Sequence, residues 1–195
     1  SENVAIPLAI ESGSRAWGFP SPDSDYDCRF VFIRGVNETL RLFPKRDVIE
    51  APLTTVLDVN GWELGKAIKL LLKGNAVIIE WLQSPFAYRR DENFCAGMLA
   101  LAERVSRRGA IANHYLHLLY SMRDRVFADP AAVPLKKVFY ALRPAMALRW
   151  MRQRPEAAVA PMNFNTLSAE SDLPKAIAAE LASLLERKAE TRELG

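Results

Sequence analysis

Residues 13–27, "GSRAWGFPSPDSDYD", connect two apolar segments and contain the features that decide the fold. A Gly-Ser pair follows the first apolar segment, and about ten residues later Asp25 and Asp27 open the second. Because successive side chains of a strand point to opposite faces, these two carboxylates share one face. The stretch is either a solvated acidic loop or a metal site that faces a phosphate.

The acidic pair and the glycine turn each suit one half of a metal and phosphate site. Two adjacent carboxylates repel each other, and Mg²⁺, which prefers oxygen ligands and substrate phosphates, relieves that repulsion. Gly13 allows the backbone to turn sharply, while Ser14 and Arg15 can donate hydrogen bonds to phosphate oxygens. The ordered combination of strand, Gly-Ser, spacer and Asp-x-Asp is more specific than either half alone.

Composition places the chain among globular proteins and excludes several classes. Half of its 195 residues are hydrophobic and a quarter are charged, which is ordinary usage for a folded domain. No apolar run is long enough to span a bilayer and no signal-peptide order is present, so we expect a cytoplasmic protein without a membrane partner. Two isolated cysteines, Cys28 and Cys95, predict neither a disulfide framework nor a zinc site.

Positive charge is concentrated in the second half of the chain. Residues 101–154 contain eleven Arg or Lys against three acids. This segment is either an anion-binding surface or a set of helices with solvated basic faces.

The pattern of apolar residues changes near residue 60. Strands are predicted in "VAIPLAIES" (4–12), "DCRFVFIRG" (27–35) and "RDVIEAPLTTVLDV" (46–59), where β-branched and aromatic residues alternate with turn residues. In "GWELGKAIKLLLKGN" (61–75), apolar residues at offsets of three and four, including Leu72, predict a helix that stops at Gly74-Asn75. Further helices are predicted near 77–83, 92–107, 110–127, 135–153 and 173–191, with a surface loop before the last. The fold class is therefore α+β, with a small mixed sheet in 1–90 and a helical bundle in 91–195.

Two quoted segments bear a family resemblance. "ESGSRAWGFPSPDSDYDCRFVF" (11–32) and "LDVNGWELGKAIKLLLKGNAVIIEWLQSP" (57–85) resemble the DNA polymerase beta type nucleotidyltransferase superfamily, and within it the bacterial branch associated with RNA repair pathways. The resemblance covers roughly residues 5 to 85 closely and the helical remainder more loosely.

The resemblance implies nucleotidyl transfer with two Mg²⁺ ions and an NTP substrate. Asp25 and Asp27 would be catalytic metal ligands, and Gly13, Ser14 and Arg15 would hold the nucleotide phosphates. The family adds a third carboxylate from a later strand. Asp58, expected at the end of a strand just before a helix near Trp62, is the first candidate, although it could instead cap that helix. Glu50 is the second candidate, although a role as a solvated residue at a strand edge suits it better than a role as a metal ligand.

Two basic residues of the helical part complete the candidate phosphate ligands. Lys137 and Arg143 lie on a predicted helix with Lys136 and Tyr140, and this helix either meets a triphosphate or presents a solvated stripe.

Three functions remain open at this point. The chain is a nucleotidyltransferase acting on a hydroxyl acceptor such as an RNA end, a catalytically inactive nucleotide-binding module, or an RNA-binding protein whose aspartates are incidental. Retention of the complete Gly-Ser and Asp-x-Asp pattern with Asp58 favours the first.

Overall fold

The computed structural model describes residues 2–126 and 133–192. The chain forms two compact units. The sheet unit comprises the residues up to Gly13 together with Asp25–Val105, and the helical unit comprises Ser14–Ser24 together with the chain from Ser106 onward. This grouping by compactness differs from the predicted domain boundary at residue 90.

The sheet unit is built on one mixed five-stranded sheet. Its strands are β1 (Val4–Glu11), β2 (Tyr26–Arg34), β3 (Val48–Glu50), β4 (Leu57–Glu63) and β5 (Ala87–Arg90). They lie in the order β3-β4-β2-β1-β5. Only the pairing of β2 with β4 is parallel within this described sheet; the other three pairings are antiparallel. Mixed strand directions and segregated helices confirm the predicted α+β class.

Apolar side chains of the adjacent strands β1 and β2 belong to the core of the sheet unit. Leu8 and Ile10 of β1 and Val31 and Phe32 of β2 are fully buried. The strand β5 was not predicted from the sequence. It is only four residues long, has no buried residue and lies at the sheet edge, so it lacks the apolar alternation that identifies a strand.

The described residues of the sheet unit include four helices: α2 (Val36–Thr39), α3 (Leu64–Leu72), α4 (Val77–Gln83) and α5 (Glu92–Val105). The predicted stop after α3 is confirmed, because Gly74 adopts the left-handed φ of 79° that ends helices readily. Fewer apolar residues of α3 are buried than the sequence pattern predicts. Ala67 and Leu71 are buried, whereas Leu72 is exposed because it lies one position past the buried face.

The remaining helices are α1 (Gly13–Trp17), α6 (Arg108–Val126), α7 (Leu135–Gln153), α8 (Phe164–Ala169) and α9 (Lys175–Glu190). The predicted end of α6 at residue 127 lies outside the described residues. The predicted loop before α9 contains the short α8, which Asn163 caps by accepting from the N–H groups of Asn165 and Thr166. Phe164 and Leu167 of α8 are fully buried, so this segment is part of the core of the helical unit.

None of the helices in the described ranges combines the length and apolar composition that a bilayer span requires.

Candidate functional site

The parallel pairing of β2 with β4 places two of the predicted carboxylates side by side. Asp27 of β2 is in register with Asp58 of β4, and residues in register on neighbouring strands project to the same face of a sheet. Asp58 is the second residue of β4, which continues to Glu63 before α3 begins at Leu64. The prediction that Asp58 ends a strand before a helix near Trp62 was therefore wrong, and so was the alternative that Asp58 caps that helix.

Gly61 explains why the strand was predicted too short. The sequence pattern assigns Gly61 to the start of the helical segment 61–75, but in the structure Gly61 is a buried strand residue in register with Phe30. A methyl group at Gly61 would lie 2.2 Å from an atom of the Phe30 ring. The glycine is required for close packing of that ring against β4 rather than for a turn.

Arg29 joins the two carboxylates. Its Nη2 lies 2.7 Å from Asp27 Oδ1 and 2.7 Å from Asp58 Oδ2, and its Nη1 donates to the carbonyl oxygens of Asp58 at 3.0 Å and Cys28 at 3.2 Å. The Arg29 side chain is only 18% exposed. Sequence reasoning missed this residue, although its position two residues after Asp27 in a strand places it on the same face.

The surroundings of Asp27 shift the pKa of its carboxyl group. Burial raises its pKa above the ordinary value; Arg29 opposes that shift, and the negative charges of Asp25, Asp58 and Glu11 add to it. Asp25 lies just before β2 and is half-buried. The site is thus a concentration of negative charge that one guanidinium partly neutralises.

Gly13 lies against Asp27, so the two halves of the sequence motif meet. Gly13 has a φ of 61°, and a methyl group at this residue would lie 1.9 Å from Asp27 Oδ2. The N–H of Ser12 donates to the carbonyl of Asp27 at 2.8 Å. Only glycine leaves room for the carboxylate here.

Glu11 holds the backbone of Asp27 in place and was also missed. This buried glutamate accepts a hydrogen bond from the Asp27 N–H at 3.0 Å and another from the Tyr88 hydroxyl. Burial, together with the hydrogen bond to Glu11 and the negative charge of that residue, raises the pKa of Tyr88 above its ordinary value. A glutamate that ends the apolar run "PLAIE" was the available signal.

Ser14 and Arg15 belong to the helical unit, where both contact Ser24. The buried Ser14 hydroxyl donates to Ser24 Oγ at 3.1 Å, and Arg15 donates to the Ser24 carbonyl through Nε at 3.2 Å and Nη2 at 2.7 Å. Ser24 Oγ also accepts from the N–H of Ser21 at 2.8 Å. These bonds close the Ser14–Ser24 segment on itself, and the role of Ser14 and Arg15 as phosphate ligands stays a prediction.

Glu50 and Arg143 each have partners within their own unit. Glu50 lies on the edge strand β3 and contacts Arg46 and Asn60, so it is Asp58 that lies beside Asp27. Arg143, in the helical unit, is 4% exposed, donates to the Met162 carbonyl at 3.2 Å and has its guanidinium 4.5 Å from the Trp17 ring centre.

Lys137 lines a cavity of about 290 Å³ within the helical unit. Lys136, Lys188 and Arg192 contribute to the same cavity, so four cationic side chains surround it. No acidic residue lines the described part of this cavity, which therefore suits an anion.

The arrangement of oxygen atoms tests whether a divalent cation suits this site. Among the described residues, no three His, Cys, Asp or Glu side chains are grouped so as to hold a metal ion. Asp27 and Asp58, however, each direct one carboxylate oxygen at the same Arg29 nitrogen. Two oxygens that converge on one cationic centre form a donor pair that suits Mg²⁺, provided that the guanidinium leaves.

Comparison with known proteins identifies the relatives of this chain. Residues 1–195 match the family described as the RNA repair pathway DNA polymerase beta family. The chain belongs to this family. The resemblance drawn from the two sequence segments is thereby confirmed, and family membership makes the chain a nucleotidyltransferase-like protein.

Two individual proteins show how far the similarity extends. The uncharacterized protein YcgL of Bacillus subtilis (strain 168) is 37% identical over 195 residues, which cover 100% of this chain and 74% of that protein. A crystal structure of a nucleotidyltransferase-like protein from Exiguobacterium sibiricum 255-15 aligns with a TM-score of 0.33 and 9% identity, over 94% of this chain. The chain spans 64% of the length of that second protein.

Proposed function

We propose that this chain is a metal-dependent nucleotidyltransferase that moves a nucleoside monophosphate from an NTP to a hydroxyl acceptor. One observation carries the proposal: an oxygen of Asp27 and an oxygen of Asp58 each lie 2.7 Å from the same cationic nitrogen, beside a glycine that touches Asp27. Family membership supports the same reaction class.

Each residue of the site has a role in this proposal. Asp27 and Asp58 hold Mg²⁺, and Asp25, at the entrance of β2, supplies a further carboxylate. Gly13 lets the phosphates approach the backbone, and Glu11 fixes the backbone of Asp27 so that its carboxylate keeps its orientation. When bound, Mg²⁺ neutralises the phosphate charge and lowers the pKa of an acceptor hydroxyl.

An RNA end is the acceptor class that the charge distribution and the family favour. The helical unit has fifteen basic and ten acidic residues, whereas the sheet unit has eleven basic and thirteen acidic residues. A cationic unit attached to a nucleotidyltransferase-like one suits a polyanionic acceptor. The name of the family refers to RNA repair.

The test is a labelling reaction with Mg²⁺ and each NTP labelled on its α-phosphate, supplied with total RNA or with a protein extract. We expect pyrophosphate release and label on RNA. Because loss of even an outer-shell partner of a metal typically costs ten- to a hundredfold, Asp27→Asn and Asp58→Asn should each reduce turnover by about a hundredfold or more.

Glu50→Gln is the matched control, because it neutralises a carboxylate of the same sheet whose partners are Arg46 and Asn60 rather than Arg29. It should keep full turnover, and thermal melts should show that all three variants are folded. Full turnover in both Asp27→Asn and Asp58→Asn would show that the carboxylates were wrongly assigned. Binding of NTP without turnover on any acceptor would instead support a nucleotide-binding module.

A further inference from the structure

Arg29 occupies the point where a cation shared by Asp27 and Asp58 would lie. Its Nη2 is 2.7 Å from one oxygen of each carboxylate. Mg²⁺ binds carboxylate oxygens at about 2.0–2.1 Å, so an ion and this nitrogen would compete for the same oxygen atoms and would repel each other. The two cations therefore exclude one another from this position.

Arg29 cannot leave this position by losing its charge. A guanidinium stays protonated at any pH at which proteins are folded, so a displaced Arg29 needs another anion. Its remaining contacts are two backbone carbonyls, those of Cys28 and Asp58, which are weaker partners than carboxylates. Phosphate oxygens would take the place of the carboxylates, since arginine forms the same kind of charge-assisted hydrogen bonds with phosphate as with carboxylate.

The surroundings allow such a movement. The Arg29 side chain is 18% exposed and that of Asp58 is 37% exposed, so solvent reaches part of this ion pair. Its backbone is fixed in the middle of β2, with β1 on one side and β4 on the other. Only the side chain has to turn, and the sheet remains intact.

We propose that Arg29 is a tethered cation that occupies the position between Asp27 and Asp58 until a metal-bound nucleoside triphosphate binds. The phosphates then replace the two carboxylates as the partners of the guanidinium. This inference rests on the proposed function in taking Mg²⁺ and an NTP as the ligands. Its consequence is positive coupling: the metal alone binds weakly, and the nucleotide raises its affinity. Arg29 then contacts the phosphates of the nucleotide and links the binding of the two ligands.

Mn²⁺ serves as the probe, because the electron paramagnetic resonance signal of the free ion reports how much Mn²⁺ is bound, and a protein-free titration gives the share that the nucleotide analogue binds. Wild type, Arg29→Gln and Arg46→Gln are titrated with Mn²⁺, with and without a non-hydrolysable ATP analogue. Arg46→Gln is the matched control, since it removes the same charge from an ion pair with Glu50 elsewhere in the sheet unit. Melting curves establish that each variant is folded.

We expect Arg29→Gln to bind Mn²⁺ alone about tenfold more tightly than wild type, within the range found for coupled sites. The analogue should raise the Mn²⁺ affinity of wild type and of Arg46→Gln by a similar factor, and that of Arg29→Gln much less. Adding Asp27→Asn to Arg29→Gln should abolish the tenfold gain in Mn²⁺ affinity, which would show that the ion binds at this pair of carboxylates.

Two results would overturn the inference. One is Arg29→Gln binding Mn²⁺ no more tightly than wild type; the other is wild type binding Mn²⁺ equally well with and without the analogue. If Arg29→Gln does not fold, the comparison of Mn²⁺ binding by wild type with and without the analogue still tests the inference. Because these are binding measurements, absence of turnover with every acceptor would refute the proposed function while leaving the coupling intact.

Discussion

At position 13, two independent constraints act on one residue. The φ of 61° is a left-handed conformation that costs a residue with a side chain about 1–2 kcal/mol. A side chain would in addition collide with the Asp27 carboxylate, which lies 1.9 Å from the position of its first carbon atom. The same glycine thus determines both the local backbone and the position of a candidate metal ligand.

Gly13→Ala should therefore destabilise the chain by at least about 1–2 kcal/mol from the backbone term alone, and should lower nucleotidyl transfer because Asp27 is displaced. Urea unfolding and the labelling reaction measure the two effects. The matched control is Gly65→Ala in α3, where a methyl group meets no atom within 4 Å. That substitution should leave turnover intact and raise stability by about 0.5–1 kcal/mol. Wild-type stability in Gly13→Ala would contradict the close contact with Asp27.

Among the secondary-structure elements, three strands meet around one buried glutamate. Glu11 of β1 accepts hydrogen bonds from the Asp27 N–H of β2 and from the Tyr88 hydroxyl of β5. The pKa of Tyr88 is raised above its ordinary value of 10.0. Burial and this hydrogen bond both favour the neutral phenol, so the contribution of Tyr88 to stability is complete below about pH 10 and is lost as the pH rises through the folded-state pKa.

Tyr88→Phe should consequently lower the free energy of unfolding by about 1 kcal/mol at about pH 8, and the difference from wild type should shrink only above about pH 10. Chemical denaturation at a series of pH values measures this. Tyr120→Phe removes the hydroxyl of another exposed tyrosine, far along the sequence in α6, and should change stability less. A difference that already shrinks in the neutral range would be inconsistent with a raised pKa of Tyr88.

The same strands show which features of the site could be predicted from the sequence and which could not. Gly13 and Asp27 could be proposed as site residues from a local motif, and Asp58 from the resemblance to the family. The longer-range contacts could not be predicted, because Arg29 meets Asp58 only through the parallel pairing of β2 with β4, and Glu11 meets Tyr88 across 77 residues of sequence. The sequence pattern assigns Gly61 to the helical segment rather than to β4, since a glycine needed for packing against Phe30 has no local strand signal.

At the scale of the whole molecule, the charges of the two units differ in sign. The sheet unit has a net charge of −2, from eleven basic and thirteen acidic residues, and the helical unit has +5, from fifteen basic and ten acidic residues. Lys136 and Lys137 line both the 290 Å³ cavity and a second cavity of about 310 Å³ formed with Met122, Arg125 and Tyr140. A polyanion should therefore bind mainly through the helical unit, around these two lysines.

Replacing both lysines, as in Lys136→Glu/Lys137→Glu, should weaken binding of a fluorescent single-stranded RNA by about tenfold or more near 0.1 M salt, because each phosphate that a cation neutralises releases bound counterions. The slope of log affinity against log salt should become shallower by about 0.7 for each phosphate that the variant no longer neutralises. Fluorescence anisotropy over a salt series measures both quantities.

Lys69→Glu/Lys73→Glu is the control for this last prediction, because it makes the same change of net charge at α3 of the sheet unit and the residue that follows it. If RNA is held at the helical unit, the control should retain most of the affinity and the full salt slope. Equal reductions in the two double variants would mean that RNA responds only to the net charge of the chain, and the assignment of the polyanion to Lys136 and Lys137 would then be wrong.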